Sequence, residues 1–110
     1  MVIKENYCRA EEIGLSNEDL NKIRLVFTSF SKIEQVLLYG SRAKGSAKTY
    51  SDIDITLIGD YLDLNTKYNL DLALDDLYLP YTFDISIFSN IDNPDLLSHI
   101  ERMGKLLYTI

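Results

Sequence analysis

Apolar and polar residues recur along the chain with two different periods, and each period marks a different kind of element. Apolar residues at helical spacing predict helices over 16–30, 64–79 and 94–103. A short apolar run and two alternating stretches predict strands over 36–39, 52–58 and 82–88. A further short helix is expected to open at Ser41. The order α-β-α-β-α-β-α therefore predicts a small α/β fold.

Capping residues and helix breakers set the expected ends of these helices. Ser16 has the side chain of an N-cap, and Pro80 prevents the middle helix from continuing. Asp92 or Asn93 is expected to cap the last helix, which ends at Gly104. Neither a repeat nor a Pro/Gly-rich linker interrupts the chain. We therefore expect one domain over 1–110.

Aspartates stand on two of the predicted strands where the opposite face is apolar. Asp52 and Asp54 are two residues apart, so they share a face and lie about 6.6 Å apart along the strand. Asp84 has the same placement on the next strand and joins them if the two strands are neighbours. Such carboxylates repel one another unless a cation lies between them. Magnesium or manganese suits all-oxygen ligands, whereas on a solvated face the same pair has no role.

The dipeptide Gly40-Ser41 stands where a strand ends and a short helix is expected to begin. A turn of this kind presents backbone N–H groups and the positive end of a helix dipole, which together bind phosphate. Glycine lets the ligand approach the backbone closely, and the Ser41 hydroxyl adds a donor. An ordinary helix cap is the other interpretation of the same two residues. The dipeptide alone does not decide between them.

Composition excludes several classes of protein. The 110 residues are 46% hydrophobic and 25% charged, with a net charge of −6, so the default partner is neither nucleic acid nor an anionic membrane. The single cysteine, Cys8, forms no internal disulfide, and no apolar run is long enough to cross a membrane. We therefore expect a cytoplasmic protein. Basic residues concentrate in the stretch 42–48, which suits a compact anion such as a nucleoside triphosphate; the individual roles of Lys44 and Lys48 stay open.

The stretches 40–45 (GSRAKG) and 51–54 (SDID) place Gly-Ser ten residues before Asp-X-Asp. This arrangement resembles the signature of the DNA polymerase β-like nucleotidyltransferase superfamily. Within that superfamily, the residues of the two stretches are most similar to those of the minimal nucleotidyltransferases. These proteins are commonly paired with HEPN-type partners in toxin–antitoxin modules. The resemblance covers about residues 34–108. It implies a small polymerase β-type nucleotidyltransferase fold, in which a short mixed sheet is flanked by helices.

The resemblance also implies a role for each matching residue. The catalytic residues and metal ligands it implies are Asp52, Asp54 and Asp84. The nucleotide-binding residues it implies are Gly40, Ser41 and Arg42. Two Mg²⁺ ions are expected, with Mn²⁺ as a substitute, and Asp84 is also a candidate base. His99, in contrast, is interpreted as a surface or packed residue of the last helix.

The function that the resemblance implies is transfer of a nucleoside monophosphate to a hydroxyl. We expect AMP from ATP to be transferred to a tyrosine of a HEPN-type toxin partner, so that the chain acts as an antitoxin; the base preference stays open. The alternative is a non-catalytic antitoxin that neutralises its partner by forming a complex. An aminoglycoside adenylyltransferase is disfavoured, because the chain has no room for the second domain that encloses such an acceptor.

Overall fold

A four-stranded sheet with helices on both faces forms the protein, which a computed structural model describes over residues 7–48 and 51–110. The helices are α1 (Ala10–Ile13), α2 (Asn17–Phe27), α3 (Gly40–Lys44), α4 (Leu64–Asp75) and α5 (Pro94–Met103). The strands are β1 (Gln35–Tyr39), β2 (Ile53–Ile58), β3 (Phe83–Ile87) and β4 (Lys105–Thr109), and a 3₁₀ turn covers Phe88–Asn90. None of the described helices is long and apolar enough to span a membrane.

The strand order in the sheet is β3-β2-β1-β4. Strand β1 is antiparallel to both of its neighbours, whereas β2 and β3 are parallel and are joined through α4. The sheet is therefore mixed and flanked by helices, which confirms the fold class expected from the sequence. This order brings the two aspartate-bearing strands side by side and places the end of β1 next to them.

Alternating side chains of β1 divide the core into two layers. Val36 and Leu38 face a cluster that includes residues of α1, α2 and α4, whereas Leu37 and Tyr39 face Ile100 of α5. The same alternation continues across the sheet, because Tyr39 pairs with Asp54 of β2. Asp54 therefore lies on the α5 side of the sheet.

The helix ends follow the sequence signals at three of four places, since α5 also ends at Gly104 as expected. The Ser16 hydroxyl accepts a hydrogen bond from the Asp19 backbone N–H at 3.0 Å, and Asn93, rather than Asp92, caps α5. Helix α4 ends at Asp75, before the expected limit at residue 79. Tyr78 has φ of 54°, so the chain has already left the helix before it reaches Pro80.

The sequence reasoning missed strand β4 and the one-turn helix α1. Strand β4 begins directly after Gly104, which ends α5, so no turn sequence separates the two elements. Its central residues are all buried, and an apolar run of three gives no alternation. The seven elements predicted from the sequence therefore do not include α1 and β4.

Candidate active site

Three carboxylates lie near one another at strands β2 and β3. Asp54 of β2 pairs in register with Asp84 of β3, and Asp52 lies two residues before Asp54, just outside the strand. The condition for Asp84 to join the pair is met, because the two strands are hydrogen-bonded neighbours. Asp52 and Asp84 are exposed, whereas Asp54 is half-buried at the centre of the group.

Like charges and burial act together on this group. Burial, then the negative charges of Asp84 and Asp52, raise the pKa of Asp54 above its ordinary value. Burial also raises the pKa of the Tyr39 hydroxyl, as do Asp84 and Asp54, while a hydrogen bond with Ser86 opposes the shift. Tyr39 therefore borders the carboxylate group, a position that sequence reasoning did not find.

The chemistry of the donor set fits a hard divalent cation. Oxygen ligands on adjacent strands suit magnesium, and positive charge there would offset the burial and the like charges that raise the pKa of Asp54. Among residues 7–48 and 51–110, however, no group of three or more His, Cys, Asp or Glu side chains is close enough to form a ready ligand cage. The three carboxylates are neighbours, but their oxygen atoms do not surround one point.

The Gly40–Ser41 turn connects the end of β1 to α3. Gly40 has φ of 75°, a left-handed conformation that side chains disfavour, and a Cβ there would overlap the carboxylate oxygen of Asp54. The backbone therefore favours glycine at residue 40, and any larger residue would also displace the Asp54 carboxylate. The expected strand, turn and short helix are all present, and the turn lies directly against the carboxylate group.

Arg42 follows the turn in helix α3, and its side chain is buried, with only 1% of the residue exposed. Its Nε and Nη2 donate to the Ser51 carbonyl at 3.1 and 2.8 Å, and its Nη1 donates to the carbonyls of Ile13 and Gly14 at 2.9 and 3.2 Å. The guanidinium also stacks over the Tyr81 ring, 4.9 Å from its centroid. These contacts favour a structural role. Nucleotide binding by Arg42 stays a prediction.

His99 of α5 reaches the turn from the other side. Its Nε2 accepts a hydrogen bond from the Gly40 backbone N–H at 3.0 Å, and its ring meets the Tyr39 ring edge-on at 6.2 Å. The imidazole is therefore neutral, with its proton on Nδ1. The sequence offered no signal for this contact, because the two partners are 59 residues apart.

Replacing His99 by leucine is expected to lower the free energy of unfolding by about 1–3 kcal/mol, because the Gly40 N–H loses its acceptor. Glutamine is the matched variant, since its side-chain oxygen can accept the same hydrogen bond. Urea denaturation of both variants measures the difference. Equal losses of stability in the two variants would contradict the assigned hydrogen bond.

The surroundings of His99 should also make stability depend on pH. Burial first, then the positive charges of Lys44 and Arg102, lower the pKa of His99 below its usual 6.5. Tyr39 of β1 is the other titratable group against the ring. The unfolded chain thus binds the proton more tightly, so stability is complete above about pH 6.5 and falls as the pH drops below it. His99→Gln should remove this part of the pH dependence, and an unchanged profile would contradict it.

The site can now be compared with known proteins. The family described as Polymerase beta, Nucleotidyltransferase matches residues 21–110. The chain belongs to the polymerase beta nucleotidyltransferase family. The matched range contains the Gly40–Ser41 turn and all three aspartates, and members of this nucleotidyltransferase family are typically metal-dependent. The resemblance found in the sequence is thereby confirmed.

Relatives of this family member include a protein of Haemophilus influenzae, "Probable protein adenylyltransferase MntA". It is 29% identical over 75 residues, which cover 67% of this chain and 66% of that protein, so the chain spans just under two thirds of that relative's length. A crystal structure of a toxin–antitoxin with AMP-PNP is 25% identical with a TM-score of 0.66, covering 83% of this chain and 73% of that one.

A second solved complex shares the nucleotidyltransferase fold. It contains a tri-AMPylated Shewanella oneidensis HEPN toxin with an MNT antitoxin. The match is 22% identical with a TM-score of 0.61, and it covers 84% of this chain and 71% of that one. The four-stranded mixed sheet and its helices are therefore those of a polymerase β-type nucleotidyltransferase.

Proposed function

We propose that this protein is a magnesium-dependent nucleotidyltransferase that moves AMP from ATP to a tyrosine hydroxyl of a HEPN-type toxin, and so acts as an antitoxin. One observation carries the proposal: the Gly40–Ser41 turn lies against the Asp54 carboxylate, which pairs with Asp84, in a chain of the nucleotidyltransferase family. Support also comes from the relative named as a protein adenylyltransferase and from the toxin–antitoxin that binds AMP-PNP.

In the proposed site, backbone donors of the Gly40–Ser41 turn and the Ser41 hydroxyl hold the β- and γ-phosphates. The Gly40 N–H already donates to His99, so donors that follow it in the turn are the ones available to the phosphates. Asp52, Asp54 and Asp84 are the ligands that would hold magnesium or manganese. When bound, such ions supply positive charge to the attacking and leaving oxygens.

The reaction is an in-line displacement at the α-phosphorus. The tyrosine oxygen forms a bond to that phosphorus, while the bond to the oxygen that bridges to the β-phosphate breaks. Pyrophosphate leaves with the electron pair, and AMP stays on the tyrosine. Asp84 is the exposed carboxylate on β3, and it accepts the tyrosine proton and passes it to water.

Transfer is expected to require the partner protein. The site lies on an open sheet surface, so groups that orient the attacking hydroxyl must come from the partner. The chain with ATP and magnesium alone should turn over very slowly. Adding a HEPN-type toxin should release pyrophosphate and make the toxin heavier by one or more AMP units, as measured by intact-mass spectrometry. In the Shewanella oneidensis complex, the toxin is tri-AMPylated.

The same experiment distinguishes the non-catalytic antitoxin. An unmodified toxin that is still silenced by a stable complex with the Asp52→Ala variant would overturn the proposed transfer and establish neutralisation by binding. A toxin that is modified by the parent protein and left active by Asp52→Ala would support it. Tryptic mapping of the modified toxin should then place AMP on a tyrosine.

A further inference from the structure

One side chain of helix α5 reaches the Gly40–Ser41 turn on the face of the sheet that carries Asp54. The Nε2 atom of His99 accepts a hydrogen bond from the Gly40 N–H at 3.0 Å. Gly40 also lies against the Asp54 carboxylate, which would overlap a Cβ at that residue. Gly40 is therefore held by two side chains that come from different elements, α5 and β2.

His99 is held in place by the helix that carries it. The next residue, Ile100, is fully buried in one core layer with Leu37 and Tyr39. The Tyr39 ring also meets the imidazole edge-on, with 6.2 Å between the ring centroids. The Nε2 acceptor therefore has a fixed position, and it can restrain the backbone N–H that points to it.

Glycine at residue 40 gives the backbone a freedom that this hydrogen bond restrains. Glycine adopts positive and negative φ about equally well, whereas in this protein its φ is 75°. Pairing of Tyr39 with Asp54 fixes the chain before the turn, and the hydrogen bonds of Arg42 fix the chain after it. The hydrogen bond to His99 acts on the Tyr39–Gly40 peptide itself.

Rotation of this peptide would change the direction of the donors that follow it. In a planar trans peptide the N–H and the C=O point in opposite directions. A rotation that turned the Gly40 N–H away from His99 would therefore bring the Tyr39 carbonyl oxygen toward Nε2. Two acceptors would then face each other without a proton between them. His99 thus favours the observed orientation and disfavours the rotated one.

We propose that His99 is a positioning residue of the nucleotide site, which holds the Tyr39–Gly40 peptide in the orientation that lets the donors after Gly40 meet the β- and γ-phosphates. This role rests on the proposed function, because the transfer reaction defines the ligand of the turn. His99 touches neither the α-phosphorus nor the acceptor hydroxyl. It keeps the binding-competent turn populated before ATP arrives, and ATP binding then does not have to order the turn.

The test compares three variants by calorimetric titration with ATP and magnesium at pH 8, where imidazole is neutral. His99→Leu removes the acceptor and should raise the dissociation constant about three- to tenfold, as loss of one neutral hydrogen bond does. His99→Gln offers an acceptor oxygen and should restore most of the affinity. Ile100→Val shortens a buried side chain of the same helix, so it should lower stability and leave the dissociation constant unchanged.

Inorganic triphosphate shows which part of ATP the contact serves. It carries linked phosphates without a base or a ribose, so His99→Leu should weaken its binding by about the same factor as the binding of ATP. An unchanged affinity for triphosphate beside a weakened affinity for ATP would place the effect on the nucleoside and overturn the assigned role.

The other outcomes are equally decisive. Tighter ATP binding by His99→Leu would show that the Gly40 N–H is itself a phosphate donor that His99 occupies. Equal dissociation constants in the parent protein and both His99 variants would leave His99 a purely structural residue and the proposed function intact. Equal weakening in His99→Gln and Ile100→Val would assign the effect to lost stability. A parent protein that binds neither ATP nor triphosphate and leaves the toxin unmodified would overturn the proposed function, and the positioning role with it.

Discussion

Replacing Asp54 by asparagine is expected to abolish nucleotide transfer while raising the melting temperature of the metal-free protein. Asp54 is the central carboxylate of the group, between Asp52 and Asp84. Its replacement removes a negative charge from the centre of the proposed metal site. Metal stabilisation of a transferring phosphoryl group is worth several kcal/mol, and about 4 kcal/mol corresponds to a thousand-fold in rate. Toxin modification by this variant should therefore be undetectable.

The gain in stability follows from the sign of the pKa shift. The pKa of Asp54 is raised on folding, by burial first and then by its acidic neighbours. Its contribution to stability is thus complete at acid pH, below the unfolded pKa, and is lost as the pH rises through the folded pKa. At neutral pH the charged form opposes folding, and asparagine removes this opposition.

Thermal unfolding in a chelator, followed by thermal unfolding with magnesium and ATP, measures both effects. Asp60→Asn is the control, because Asp60 is exposed and lies in a turn outside the carboxylate group. The parent protein should gain stability from magnesium with ATP, by mass action on the native state, and Asp54→Asn should gain much less. Retained transfer, or a lower melting temperature without metal, would contradict the assignment.

Replacing Arg42 by methionine is expected to cost about 3 kcal/mol or more of folding free energy. Four hydrogen bonds join its guanidinium to carbonyls of Ile13, Gly14 and Ser51. These carbonyls belong to the α1 turn and to the segment that leads into β2, so one side chain joins these two parts of the chain to its own helix, α3. Lysine keeps the charge but not the planar fork, and Arg42→Lys should therefore also be strongly destabilised.

Lys44→Met is the matched control for Arg42. Lys44 lies on the same short helix but is exposed, and its loss should change stability by less than about 0.5 kcal/mol. Denaturant unfolding of the three variants measures the differences. A stable Arg42→Met variant with weakened ATP binding would instead support the nucleotide-binding role that the sequence motif implied.

The expected elements that formed as predicted are those whose signals are local. Alternation along 52–58 and 82–88 marks strands that bury one face, and Ser16 and Asn93 cap helices through hydrogen bonds within three residues. Strand β4 lacks such a signal, because its pairing with β1 joins segments about 70 residues apart. No local sequence pattern indicates that β4 pairs with β1.

The site shows the same division between local and distant information. The sequence spacing alone predicted that Asp52 and Asp54 lie on the same face of a strand and that Gly40 lies in a turn. Spacing did not show that His99 accepts a hydrogen bond from Gly40, nor that Arg42 turns inward to backbone carbonyls. The sequence shows that a basic residue follows the Gly-Ser turn. It does not show whether that side chain points to a ligand or into the core.

Contact between Gly40 and Asp54 has a consequence for thermodynamic linkage. The Asp54 carboxylate occupies the space that a side chain at residue 40 would need, so the Gly40–Ser41 turn packs directly against the carboxylate group. A ligand that neutralises Asp54 therefore changes the energy of the arrangement that the turn requires. If the proposed site binds both ligands, linkage makes the effect reciprocal: the factor by which magnesium raises the affinity for ATP should equal the factor by which ATP raises the affinity for magnesium.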